Sequence, residues 1–146
     1  MLSIKLYQTA EQVIYNDALT TFPNECCGFL YGHLEGDERI ISLAEPVVNS
    51  KEGDQRRRFE ISPFDYMKAE QYALSNNLTL LGVYHSHPNH PAIPSIHDLR
   101  QAMPFFSYII VSVTQSKINV LRSWRLNESS KQFEEETVHF LATQLS

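Results

Sequence analysis

The sequence predicts an α/β domain, a curved mixed β-sheet with helices packed on it. Three observations carry that reading. Apolar runs of strand length recur between residues 28 and 126, and segments with helix-start signals lie among them. The length of 146 residues is enough for one hydrophobic core and too little for two. Residues 1–146 are therefore read as a single domain.

Thr9-Ala-Glu-Gln12 has the form of a capping box, and Val13, Ile14 and Ala18 follow at helical spacing until Pro23, which predicts a helix over 10–21. Gly28 to Leu34 and Arg39 to Val48 are β-rich and flank the turn-forming Glu35-Gly-Asp-Glu38, so they form a hairpin. Asn49 to Gln55 is polar and reads as a mobile loop, followed by a short strand at Arg58 to Ile61. Ser62-Pro63 supplies an N-cap with proline in the first turn and opens a helix to about Asn76. Leu78 to Tyr84 is a continuous apolar run, the pattern of a central strand buried on both faces. It leads into His85-Ser86-His87 and then a stiff loop containing prolines 88, 91 and 94. Ser95 to Asp98 starts a helix stopped near Pro104, and Ser107 to Thr114 with Lys117 to Leu126 forms a second hairpin. The tail from Phe133 to Leu145 fits strand or helix.

Apolar residues make up 42% and charged residues 20%, the balance of an ordinary globular protein. The net charge of -5 argues against nucleic acid, whose phosphates require clustered Lys and Arg. The one basic run, Arg56-Arg57-Arg58, is too short to change this and reads as a solvated strand edge or a grip for an acidic partner. No apolar stretch approaches the roughly 20 residues that span a bilayer, and no signal-peptide core follows the first residues, so a cytoplasmic location is expected. Cys26 and Cys27 are neighbours and staple no distant segments, which fits a reducing compartment.

The chemistry concentrates near the middle of the chain. Residues i and i+2 of an extended segment point to one side, so His85 and His87 present two imidazoles to one point. Asp98, brought back by the proline loop, is placed to be a third ligand. Two histidines and a carboxylate leave the fourth position of a tetrahedral zinc open, the pattern of a catalytic site. In the blander reading these are surface histidines and Asp98 completes a capping box with Ser95. The two readings are compatible, since a helix N-terminus favours a carboxylate in either case.

The full string His85-Ser86-His87-Pro88, then Pro94-Ser95 and Asp98, preceded sixty residues earlier by Glu25 in Pro-Asn-Glu-Cys-Cys-Gly, resembles the JAMM/MPN-plus metallopeptidase family. The resemblance covers most of the chain, and ten residues separate His87 from Asp98 as in the family pattern. It implies the MPN fold, similar to the cytidine deaminase-like architecture. It also implies one zinc per chain held by His85, His87 and Asp98, with Glu25 as general base and Ser95 as donor to the developing oxyanion. The implied reaction is hydrolysis of a peptide or isopeptide bond. A compact member of this kind resembles enzymes acting on the C-terminal Gly-Gly tail of a ubiquitin-like or sulfur-carrier protein, and the alternative is an MPN scaffold with little turnover. The tail is expected to bind extended along a sheet edge beside Asn49 to Arg58. Neither cysteine is given a catalytic role, and His90 and His97 are taken as bystanders.

Overall fold

The computed structural model of the chain describes residues 2–142. It opens with strand β1 (Ser3–Tyr7), where the alternation Ser-Ile-Lys-Leu-Tyr buries Ile4 and Leu6. Helix α1 (Gln8–Thr21) follows directly and buries Ala10, Ile14 and Ala18 along one face. Its N-cap is Tyr7, with no side-chain cap. The predicted capping box at Thr9 is therefore not the helix start, because the chain turns from strand into helix two residues earlier.

Strands β2 (Cys27–Glu35) and β3 (Glu38–Val47) form the expected hairpin. Helix α2 (Pro63–Ser75) begins where the sequence places it, with the Ser62 hydroxyl accepting the Asp65 N–H at 3.1 Å. Strand β4 (Thr79–Pro88) is longer than expected and takes both histidines and Pro88 into the sheet. Pro88 is its last residue, where a missing N–H does least harm. After helix α3 (Ile96–Gln101) come β5 (Ser107–Thr114) and β6 (Lys117–Asn127) as the second hairpin. The tail resolves as strand β7 (Gln132–Leu141); residues 143–145 of the predicted segment lie outside the described residues.

The strands run in the order β1-β3-β2-β4-β5-β6-β7, and β7 pairs back onto β1, so the curved sheet closes. Pairing is parallel for β1 with β3, β1 with β7 and β4 with β5, and antiparallel elsewhere. One hydrophobic cluster joins the sheet to α1 and a second joins it to α2, which makes the domain layered α/β as the sequence predicts.

Residues 58–61 do not form the predicted strand. Phe59 and Ile61 are buried at alternate positions, which gives the strand-like pattern. Their neighbours bond mainly to the Asn49 and Ser50 side chains, so no ladder forms. The arginines 56–58 consequently sit in and after a turn, not on a strand edge, and all three are exposed. No described helix is long and apolar enough to cross a membrane.

Candidate metal centre

β4 places His85 and His87 on the same side, between β2 and β5: Cys27 and Ile110 lie opposite His85, and Ser112 opposite His87. Both imidazoles are buried, at 1% and 7% exposure. Helix α3 supplies Asp98, held by a capping box in which the Ser95 N–H donates to Asp98 Oδ2 at 2.8 Å and the Asp98 N–H donates to Ser95 Oγ at 3.1 Å. The cap and the site are thus one structure.

The donor atoms of three residues converge. His85 Nε2 and His87 Nε2 lie 3.1 Å apart, His85 Nε2 is 3.3 Å from Asp98 Oδ1, and His87 Nε2 is 3.2 Å from Asp98 Oδ2. A tetrahedral cation with bonds of about 2.0–2.1 Å separates its ligands by roughly 3.3 Å, so this triangle has the dimensions of such a site. His85, His87 and Asp98 are a group able to hold a metal ion.

The ligand tautomer is also set. The Pro91 carbonyl only accepts, so His87 Nδ1 donates to it at 2.8 Å and Nε2 keeps its lone pair toward the centre. Phe59 stacks on His85 at a centroid distance of 4.4 Å and closes the apolar side. The Pro91 contact and Phe59 were not predicted from the sequence. A carbonyl carries no side-chain signal, and Phe59 lies in a segment without regular structure.

Glu25 reaches the site from the chain entering β2. Ser86 fixes that chain, its Oγ accepting the Cys26 N–H at 2.8 Å and its own N–H donating to the Cys26 carbonyl at 3.2 Å. The loop read as mobile holds the other side. The Glu25 N–H donates to the Gln55 carbonyl at 2.7 Å, and Asn49 Nδ2 donates to the Glu25 carbonyl at 3.2 Å. Polar residues in this loop bond to backbone, which composition alone read as freedom.

The Glu25 side chain is 4% exposed, and its Oε1 has no hydrogen-bond partner among the described residues. Burial pushes its carboxyl up to about 8, against the pull of the nearby His87. A cation at the donor triangle would draw it down again. Burial also works against ionisation of Asp98, but His85 and the hydrogen bonds from both histidines and the Ser95 N–H hold it well below the usual carboxylate range. Burial lowers His85; in His87 the bonds to Asp98 and Pro91 outweigh burial and raise it.

All five residues singled out in the sequence meet here. Glu25, His87 and Ser95 line one cleft of about 590 Å³ with Arg57, Arg58 and Pro91. His90 and His97 also line it but are not part of the ligand group. Both cysteines are buried free thiols, Cys27 pushed up to about 12 by burial, which suits packing and not nucleophilic attack.

Residues 8–127 match the family described as prokaryotic homologs of the JAB domain. A protein of Haloferax volcanii named "Desampylase" is 33% identical over 91 residues, 62% of this chain and 63% of that protein. A Thermus thermophilus protein named "Probable TtuB-protein conjugate cleaving protease" is 40% identical over 88 residues, 60% of this chain and 55% of that one. The matched stretch thus spans less than two thirds of either relative. A solved structure from Desulfitobacterium hafniense superposes with a TM-score of 0.84 at 30% identity, covering 96% of this chain and 94% of that one.

Proposed function

The chain belongs to the family of prokaryotic JAB-domain homologues, and from that premise we propose that it is a zinc-dependent hydrolase. It cleaves a peptide or isopeptide bond at the C-terminal Gly-Gly tail of a ubiquitin-like or sulfur-carrier protein. The observation that carries this reading is the donor triangle of His85, His87 and Asp98 with the buried carboxyl of Glu25 in the adjoining cleft. The names of the relatives, a desampylase and a conjugate-cleaving protease, support the same substrate class.

His85, His87 and Asp98 hold one zinc per chain, two neutral imidazoles and a carboxylate being a donor set suited to that ion. When bound, zinc supplies the Lewis acidity that makes water nucleophilic near neutral pH. Glu25 takes the proton that the attacking water loses and delivers it to the departing amine nitrogen, a role suited to a buried carboxyl with a free oxygen. Ser95 donates its hydroxyl hydrogen to the carbonyl oxygen as charge builds there; its Oγ lone pair already serves the helix cap.

The diglycine tail lies in the cleft between Arg57 and Arg58 on one wall and the Pro91 to Ser95 segment on the other, where its lack of side chains lets the backbone approach. Residues 1–146 act as one domain, and the buried free thiols suit a cytoplasmic setting.

The test is metal analysis beside a cleavage assay on carriers bearing residues beyond Gly-Gly. The parent is expected to hold one zinc and cleave, His87→Ala to lose the zinc, and Glu25→Gln to keep zinc and lose most turnover. A carrier with Ala-Ala in place of Gly-Gly should be a poor substrate. A zinc-loaded parent that cleaves no such carrier would favour the scaffold reading, and undiminished zinc in His87→Ala would refute the ligand set.

A further inference from the structure

Beside the cleft lies a second, smaller cavity of about 110 Å³, lined by Lys51, Arg58, Arg100, His97 and Glu60 among others. Arg58 and His97 line both spaces, so the two are neighbours. The charges here are out of keeping with the whole molecule. The chain carries 17 acidic and 12 basic residues, yet three permanent cations and one carboxylate surround this cavity. Arg57 lines the adjoining cleft, so four of the 12 Lys and Arg line these two neighbouring spaces.

Among the described residues, Lys51, Arg58 and Arg100 form no ion pair, whereas Lys5, Arg57, Arg122 and Arg125 each do. Unpaired like charges brought together by a loop and a helix repel one another, and an anion between them relieves that repulsion. Two guanidinium groups also offer planar pairs of N–H donors that match the two oxygens of a carboxylate. The cavity holds a group of that size and no folded segment.

We infer that Lys51, Arg58 and Arg100 form a carboxylate-binding subsite that selects the substrate of the adjoining cleft. This rests on the hydrolase reading above and goes further, because it assigns residues to substrate choice. The carboxylate has two possible sources. One is the free α-carboxylate of a residue that follows Gly-Gly in a linear extension, which an isopeptide-linked lysine side chain does not offer at that place. The other is an acidic side chain on the carrier itself.

The experiment compares the zinc-loaded full chain with an Arg58→Gln/Arg100→Gln double variant. Both residues are exposed, so the fold should tolerate the change. The substrates are one carrier extended by a single residue beyond Gly-Gly, made with a C-terminal carboxylate or carboxamide. KM and kcat are measured separately at low and high salt.

If the α-carboxylate is read, the parent should prefer the acid over the amide by about tenfold in kcat/KM, and the variant should lose that preference, mainly through KM. If acidic side chains are read, the parent should cut both forms alike, with the variant raising KM about tenfold for both at low salt and little at high salt. A KM within twofold of the parent on both substrates at low salt would overturn the subsite. Should the parent cleave neither carrier, the hydrolase reading fails by itself, and equilibrium binding of the same carriers decides the subsite. Equal affinity of parent and double variant would refute it; weaker binding by the variant would sustain it.

Discussion

Asp98 and Ser95 each serve two purposes, and that overlap decides what their substitution does. Ser95 Oγ accepts from the Asp98 N–H while its hydroxyl hydrogen stays available to the cleft. Ser95→Ala should therefore cost about 0.5–2 kcal/mol of stability as a lost cap. In the proposed mechanism it should also lower kcat by about 10²–10³, as expected for one oxyanion donor. Zinc content is the discriminating measurement. Retained zinc supports an oxyanion role, and lost zinc would mean that Ser95 acts only by placing Asp98. The two thiols make a separate prediction, because Cys26 and Cys27 are buried and burial raises both. A thiol reagent at pH 8 should modify neither in the native protein and both after denaturation; rapid native labelling would contradict it. At this scale the motif was readable because chelation and catalysis demand particular side chains at particular spacing. The Pro91 carbonyl and the Asn49 and Gln55 clamps on Glu25 were not, since backbone groups and amides look alike wherever they occur.

Strand β4 delivers the centre, and its path depends on a glycine. A Cβ built on Gly82 would lie 1.8 Å from the Ser107 carbonyl oxygen, in the parallel pair that aligns β4 with β5 three residues before His85. Neither backbone can give way without breaking the ladder. Gly82→Ala should thus destabilise the fold by several kcal/mol and weaken zinc retention, read by chemical denaturation with metal analysis. A variant as stable as the parent would show that β4 and β5 can separate without cost. Elements with their own local chemistry were readable: Ser62-Pro63 sets the start of α2, and Gly36-Asp37 turns β2 into β3. Elements set by tertiary contacts were not. β1 is only five residues long and draws its pairing from β3 and β7, distant in sequence, while 58–61 has strand periodicity but no free partner strand. The longer β4 has the same origin, since β5 continues opposite it as far as Val113.

Closure of the sheet places a charged group inside the molecule, away from the metal centre. Glu136 on β7 is 1% exposed and accepts from Ser123 Oγ of β6 at 2.7 Å and from Ser107 Oγ of β5 at 3.2 Å. Arg125 of β6 pairs with it directly, and Arg39 of β3 donates to Ser107 Oγ at 3.1 Å while Phe105 covers its guanidinium. Strands β5, β6 and β7 thus meet on one carboxylate, and β3 joins them through Ser107. A buried and a half-buried cation against one anion leave Arg39 short of compensation; burial, with Arg125 nearby, lowers it to about 10. Removing the carboxylate would leave both guanidinium groups in a poorly solvated interior, where breaking a buried pair typically costs about 3–5 kcal/mol. Glu136→Ala should therefore lower the unfolding free energy by about that amount, measured by urea denaturation with an unchanged m-value. Glu136→Gln should fall between it and the parent, because the amide still accepts from a serine but no longer balances charge. Ser107 links this cluster to the Gly82 pairing, so Glu136→Ala should also loosen the metal, seen as faster zinc loss to a chelator. A loss of less than 1 kcal/mol in Glu136→Ala would mean that water reaches the arginines and that sheet closure does not depend on this carboxylate.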